Sequence, residues 1–276
     1  MLKDATIVFD LDGTLVDSAP DLTNALNDAL VRRGHAPVAA EVIRGAVGRG
    51  ARIMIETALG MAGIEDDVDQ MLAEFLVHYE ANIAAASRPF PGAADLLERL
   101  AGRGARLAVC TNKRESLSRK LLQELGLSGH FGAIAGRDTF PVSKPDPGHL
   151  TGTIALAGGD PSRALMVGDS EFDFAAARAA GVPIVLARFG YGPLPQCNNG
   201  GAAPMIDHLG ELEALAGPLL CRAEAAKSGA FRQNPAKDQS YFHPTALNEQ
   251  HSRQAFLGSR ETANGPEGGT RCLDVS

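Results

Sequence analysis

At 276 residues with 45% hydrophobic side chains, the chain is long enough to bury one substantial core and a smaller second one. A formal net charge of −7 offers no basic field for a polyphosphate backbone, so nucleic acid is not an expected partner, although small anions remain open because a pocket can be locally positive on an acidic protein. The four cysteines, Cys110, Cys197, Cys221 and Cys272, form no CxxC pair and are too sparse for a disulfide-stapled domain, and no apolar run reaches about 18 residues, which points to a reducing, cytoplasmic setting with no membrane partner.

The first apolar run, Ala5 to Phe9, is short, rich in β-branched residues and ends in Asp10, as expected of a central strand buried on both faces. It is too short for the apolar region of a secretion signal. From Ser18 to Arg88 the pattern is helical throughout, with segments over about Asp21 to Arg33, Ala51 to Met61 and Val68 to Asn82, so an all-helical insertion follows the first strand. Arg88-Pro89-Phe90-Pro91-Gly92 reads as the extended return linker, because two prolines block a helix. Strand-like runs then recur at Leu107 to Cys110, Ala164 to Val167 and Pro183 to Ala187. They alternate with helical patterns at Ala93 to Arg103, Glu115 to Leu125, His149 to Ala157 and Phe172 to Ala180. Such alternation predicts an α/β fold built on a doubly wound parallel sheet. Core patterning fades after about Leu220, and residues 221–276 are expected to form a disordered tail whose removal leaves folding intact.

Four polar segments sit where these strands end. Asp10-Leu11-Asp12-Gly13-Thr14 follows the first strand, and ligands of open parallel sheets bind beyond the carboxyl ends of strands. Two carboxylates there can divide labour, one attacking as a nucleophile and the other moving protons, whereas the plainer alternative is a turn with solvated aspartates. A calcium loop is excluded, because its sixth position, which requires glycine, is Leu15. Thr111-Asn112 can hold phosphate oxygens or cap a helix. Lys144, before Pro145, Asp146 and Pro147, suits neutralisation of phosphoryl charge, and otherwise is a surface lysine. Gly168-Asp169-Ser170-Glu171-Phe172-Asp173 offers two carboxylates to a magnesium ion, and Ser170-x-x-Asp173 also has the form of a helix capping box.

These four segments, in this order, resemble the signature of the haloacid dehalogenase superfamily of phosphohydrolases over roughly residues 1 to 220. The resemblance implies a Rossmann-like core of residues 1–17 and 89–220 and a helical cap of residues 18–88 that closes over the site. It also implies Mg²⁺-dependent hydrolysis of a small phosphorylated metabolite through an aspartyl-phosphate. Asp10 would be nucleophile and metal ligand. Asp12 would be the general acid/base and offer its carbonyl to the metal, Asp169 would be a ligand, and Asp173 would support the metal shell. Thr111, Asn112 and Lys144 would hold the phosphoryl group.

Softer segments, among them Asp17 to Leu22, Cys110-Thr111-Asn112-Lys113, Phe189-Gly190-Tyr191-Gly192 and Met205 to His208, are similar to the branch of that family acting on 2-phosphoglycolate. In Gly48-Arg49-Gly50-Ala51-Arg52, Arg49 or Arg52 can serve a substrate carboxylate or be a solvated arginine, and the missing third glycine argues against nucleotide binding. Several rivals are weaker. A dehalogenase does not require Asp12 with the Asp169/Asp173 pair, a phosphonatase needs a cap lysine that residues 18–88 lack, and a sugar-phosphate mutase needs a cap histidine where Leu22 stands. A phosphatase of sugar phosphates or pyrophosphate, or a non-catalytic binding protein, stays open as an alternative. His35, His78, His149 and His208 show no metal-ligand spacing and are expected to be structural or solvent-facing.

Overall fold

The computed structural model describes residues 2–193 and 203–227. In chain order, β1 (Thr6–Phe9) and β2 (Val16–Asp17) lead into helices α1 (Ala19–Arg32), α2 (Ala40–Arg44), α3 (Ala51–Ala62) and α4 (Val68–Ala81). The chain returns through β3 (Arg88–Pro89) to α5 (Ala93–Gly102), β4 (Arg106–Cys110), α6 (Glu115–Glu124), β5 (Ala133–Ala135) and α7 (Pro147–Leu156). It closes with β6 (Ala164–Gly168), α8 (Glu171–Ala180), β7 (Ile184–Ala187), β8 (Met205–Ile206) and α9 (Leu212–Lys227). Six strands form one parallel sheet in the order β5-β4-β1-β6-β7-β8. The chain builds outward from β1 on one side and then returns to build the other, so the carboxyl end of β1 is the switch point where such sheets bind ligands.

Alternation within the strands explains how the sheet is covered on both faces. Ile7 and Phe9 of β1 join Leu107 and Val109 of β4 and Leu165 and Val167 of β6 in a core with Leu96, Leu97 and Leu100 of α5 and Leu212 and Ala216 of α9. Val8, Ala108, Cys110, Ala164 and Met166 point to the opposite face, where Leu150 and Ile154 of α7 and Ala177 of α8 cover them. A strand buried on both sides therefore reads as a continuous apolar run, each large side chain contributing about 1.5–3 kcal/mol of burial. The Ala-Ile-Ala of β5 is too short to show a period, so it carries no strand signal of its own.

Helix boundaries moved where caps decided them. The helix expected from His149 begins at Pro147, because the Asp146 side chain accepts from the Gly148 N–H and proline is preorganised in the first turn. At the far end, α9 buries Leu212, Ala216 and Leu220 and continues past Leu220 to Lys227, so the boundary drawn at residue 221 falls inside a helix; the rest of the expected tail lies outside the described residues. No helix among the described residues is long and apolar enough to cross a membrane.

The helical segment leaves and re-enters the sheet domain through one narrow crossing. Val16 pairs with Pro89 and Asp17 with Arg88 in a two-stranded antiparallel ribbon, and the Phe90 N–H donates to the Leu15 carbonyl at 2.9 Å. Just beyond it, the buried Asp21 carboxylate of α1 accepts from the Ala86 N–H, the Ser87 N–H and the Ser87 hydroxyl at 2.7–3.0 Å. Replacing Asp21 by alanine strands these donors in a dry site and is expected to lower stability by about 3 kcal/mol, with Asp21→Asn costing less because one acceptor oxygen remains. Urea unfolding of both variants measures the difference, and a loss below about 1 kcal/mol for alanine would show that the ribbon alone holds the crossing.

Candidate active site

Three carboxylates converge where β1 and β6 end. Asp10, Asp169 and Asp173 are all buried, and one oxygen from each lies within 4.8 Å of the others. Asp10 Oδ1 accepts from the Leu11 N–H at 2.7 Å and pairs with Lys144 Nζ at 2.9 Å. Lys144 is not a surface lysine: its side chain is 1% exposed and it also pairs with Asp173 at 2.6 Å.

Asp173 completes a capping box and at the same time lies in the carboxylate cluster. Ser170 caps α8 by accepting the Asp173 N–H, while Asp173 Oδ2 accepts from the Asp169 N–H, the Ser170 N–H and the Ser170 hydroxyl. Both Asp173 oxygens are thus engaged, one with Lys144 and one with the turn, so this side chain fixes the end of β6. Asp169 is oriented by the Thr14 hydroxyl at 3.0 Å on one oxygen and by the N–H groups of Tyr191 and Gly192 at 2.7 and 3.3 Å on the other. Gly13 turns the chain at φ +84°, and a Cβ there would collide with the Asp169 carboxylate and the Tyr191 ring, so only glycine lets the two strand ends approach this closely.

The electrostatics of this cluster suit a hard divalent cation. Burial pushes the Asp10 carboxyl up to about 7, with Asp173 and Asp169 reinforcing the rise and Lys144 opposing it. Burial and Asp173 push Asp169 up to about 6. Burial also works against charge on Lys144, but Asp10 and Asp173 outweigh it and raise its pKa above the ordinary lysine value. Fully ionised, three carboxylates against one ammonium would leave an excess of two negative charges, which the raised proton affinities of Asp10 and Asp169 reflect, and the donors are all oxygen, the ligand type that magnesium takes.

Asp12 stands apart from that cluster. Its Oδ1 accepts from the Ser18 hydroxyl at 2.6 Å, and both of its oxygens receive Lys113 Nζ at 3.0 Å. Lys113 is 6% exposed in its side chain and lies 4.6 Å from the ring centre of Tyr79 on α4. Burial works against its charge, but Asp12 and Tyr79 outweigh it and raise its pKa above the ordinary value.

Thr111 and Asn112 lie at the end of β4 and do not cap α6, whose N-cap is Arg114. Asn112 Nδ2 donates to the carbonyls of Lys144 and Gly48 at 3.2 Å, while its buried Oδ1 has no partner among the described residues. The Lys144 loop rests on His149, which accepts the Lys144 N–H through Nδ1 at 3.1 Å and therefore presents its Nε2–H to the Gly136 carbonyl at 3.0 Å. Burial and the nearby Lys144 lower this imidazole to about 4, so it is a neutral, structural histidine.

A cleft of about 600 Å³ opens from Asp12 toward the helical segment, with Asn112, Lys113, Leu22, Phe75 and Tyr79 among its walls. Arg49 and Arg52 also line it, but both are exposed. Arg52 is paired with Asp69 and with Glu56 at 3.9 Å, and Arg49 lies 5.8 Å above the Phe172 ring. The structure thus brings Asp10, Lys144, Asp169 and Asp173 into one cluster, with Asp12, Thr111 and Asn112 at the neighbouring strand ends. Sequence reading gave no part to Lys113, Ser18, Thr14 or Tyr191. Each stands inside a segment quoted for the family resemblance, which was their signal, but nothing in the sequence gave the individual side chain a role.

Comparison with known proteins agrees with this geometry. A model of haloacid dehalogenase-like hydrolases matches residues 5–181, a stretch holding every aspartate of the site together with Thr111, Asn112 and Lys144. The phosphoglycolate phosphatase of Mesorhizobium japonicum is 52% identical over 188 residues, which cover 67% of this chain and 83% of that protein. That of Rhodospirillum rubrum is 40% identical over 237 residues, covering 83% of this chain and 98% of the relative. The crystal structure of a predicted phosphoglycolate phosphatase from Haemophilus somnus 129pt superposes with a TM-score of 0.71 at 28% identity, covering 78% of this chain and 98% of that one. On sequence, fold and the arrangement of its buried aspartates, this chain belongs to the haloacid dehalogenase-like hydrolase family.

Proposed function

We propose that the protein is a magnesium-dependent phosphatase that hydrolyses 2-phosphoglycolate to glycolate and phosphate through an aspartyl-phosphate on Asp10. The observation that carries this reading is the division of two aspartates two residues apart: Asp10 lies in a carboxylate cluster with Lys144, and Asp12 lies outside it against Lys113 and Ser18. Relatives named phosphoglycolate phosphatase, at up to 52% identity, support the substrate.

In this mechanism a carboxylate oxygen of Asp10 attacks phosphorus and the bond to the leaving oxygen breaks, while Asp12 delivers a proton to that oxygen. Asp12 then takes a proton from water as the water attacks the aspartyl-phosphate, releasing phosphate and restoring Asp10. Lys144, the Thr111 hydroxyl and the Asn112 backbone N–H hold the phosphoryl oxygens, where Lys144 compensates charge; the Asn112 amide, donating to the Lys144 and Gly48 carbonyls, fixes its own side chain and the Lys144 loop. Asp10, Asp169, Asp173 and the Asp12 carbonyl would hold Mg²⁺, which when bound neutralises the surplus negative charge of the cluster and of the phosphate. The helical segment of residues 18–88 acts as the cap that selects the substrate.

Three outcomes follow from these assignments. Phosphate release should stop in excess chelator and return with added Mg²⁺, and full turnover in chelator would remove the metal from the mechanism. In a panel of small phosphates, 2-phosphoglycolate should rank at or near the top by kcat/KM; clear preference for a hexose phosphate or pyrophosphate would change the substrate but leave the chemistry intact. Asp10→Asn should lower turnover by at least about 10³-fold and form no phosphoenzyme, while Asp12→Asn should lose about 10²–10⁴-fold yet still label Asp10 from a nitrophenyl phosphate, whose leaving group needs little protonation. Mass spectrometry after borohydride reduction locates the label, and finding it on Asp12 or Thr111 would overturn the mechanism.

A further inference from the structure

The cleft holds one cation with a nearly covered side chain that the carboxylate cluster does not use. Lys113 follows Thr111 and Asn112 out of β4, its side chain is 6% exposed, and its Nζ meets both oxygens of Asp12 at 3.0 Å. Its other support comes from the helical segment: the Tyr79 ring of α4 faces the ammonium at 4.6 Å and is itself stacked on Phe75 with centroids 5.6 Å apart and planes within 7°. Tyr79 is buried, and its hydroxyl lies within reach of the Lys113 ammonium without forming a well-aligned hydrogen bond. An ammonium has three N–H groups; two are engaged by Asp12, and the third, which the Tyr79 hydroxyl approaches only loosely, can turn to an entering acceptor.

The other cations of the cleft are placed differently. Arg49, Arg52, Arg114 and Arg137 are all exposed, and Arg52 is occupied by Asp69 and Glu56. An exposed guanidinium attracts a carboxylate weakly through water, whereas a buried ammonium in a fixed position acts through a much lower dielectric. Location adds to this difference. Asp12 is the residue that protonates the leaving oxygen, and in 2-phosphoglycolate a single methylene separates that oxygen from the carboxylate. A cation held against Asp12 therefore stands where the carboxylate of such a substrate must arrive.

We propose that Lys113, braced by Tyr79, is the specificity-determining residue that recognises the carboxylate of the leaving group, in the place that the sequence pattern suggested for Arg49 or Arg52. This rests on the phosphatase reading above and deepens it: the preferred substrates are phosphomonoesters carrying a carboxylate one carbon from the ester oxygen. Lys113 contacts Asp12 directly, so the alternative to be separated is a residue that only orients Asp12 and has no preference among substrates.

The test compares 2-phosphoglycolate with 2-hydroxyethyl phosphate, which replaces the carboxylate by a neutral hydroxymethyl group. In Lys113→Met, kcat/KM for 2-phosphoglycolate should fall about tenfold to a hundredfold further than for 2-hydroxyethyl phosphate, the range expected for loss of one charge-assisted contact. Inhibition by glycolate should weaken by a similar factor, and inhibition by inorganic phosphate by much less. Lys113→Arg should keep most of the discrimination, and Tyr79→Leu, which removes the supporting ring, should lose part of it. Should Lys113→Met fail to fold by circular dichroism, Lys113→Gln carries the same comparison, since it keeps a donor toward Asp12 without the charge. Equal losses on both phosphates with unchanged glycolate inhibition would overturn the proposal and leave Lys113 as a support of Asp12 alone. A wild-type protein inactive on both phosphates would instead bring down the phosphatase reading, and this inference with it.

Discussion

Three aspartate carboxylates and one lysine ammonium are buried together at the carboxyl ends of β1 and β6, and the chain by itself does not neutralise them. Much of the local structure can be understood as the scaffold for this imbalance. Asp173 is held by the first turn of α8, so the helix that caps itself with Ser170 also fixes the carboxylate that grips Lys144. Asp169 is held from two directions, by Thr14 after β1 and by the backbone of Tyr191 and Gly192 after β7. A Cβ on Gly168 or Gly190 would run into Asp173 or Asp169, which leaves no room for a side chain beside these groups. Like charges brought this close raise each other's proton affinity, and the same arrangement that is costly in the bare protein would give a divalent cation its affinity.

The cluster is physically continuous with the crossing to the helical segment. Tyr191 donates its backbone N–H to Asp169, and through its hydroxyl it bonds Asp17 of β2 and accepts the Ala19 N–H at the start of α1. One residue therefore touches both the carboxylate cluster and the strand by which the chain leaves the sheet. Asn112 makes a second such link, since its amide joins the Lys144 loop to Gly48 of the helical segment. Through Tyr191 and Asn112, the placement of the helices over the site and the placement of the charged groups are parts of one hydrogen-bonded arrangement.

How much of this could be read from the sequence depended on the kind of signal. The strand ends at Asp10, Thr111 and Gly168 were legible because a strand buried on both faces gives an unbroken apolar run and its polar successor marks the edge. The helices α1, α3 and α4 were legible from their period, though not their caps. Lys113 was not legible as a functional residue, because what distinguishes it is burial against Asp12 and Tyr79, and Tyr79 is 34 positions earlier in the chain. The same holds for Thr14 and Tyr191, whose partners are 155 and 22 residues away. Arg49 and Arg52 do line the cleft, but the sequence did not show that both are exposed or that Arg52 pairs with Asp69 and Glu56, because the Asp69 partner is set by the packing of α3 against α4.

The same logic explains why two aspartates on one strand end take different parts. Asp10 continues β1, with its N–H still donating to Val167 of β6, so it faces the carboxylates that β6 brings beside it. After it, Leu11 is buried in the apolar core, and Gly13 adopts a left-handed conformation that turns the chain back so that its N–H reaches the Val16 carbonyl at 2.9 Å. Asp12 sits at the start of that turn, bridged to Val16, and is carried toward Ser18 and Lys113 on the cleft side. Identical side chains are thus sorted by backbone geometry, one into a site that demands a cation and one against a cation already supplied. In the proposed mechanism that sorting lets one carboxylate act as nucleophile while its neighbour handles the proton, and it requires Gly13, because a residue with a side chain could neither make the turn nor leave space for Asp169.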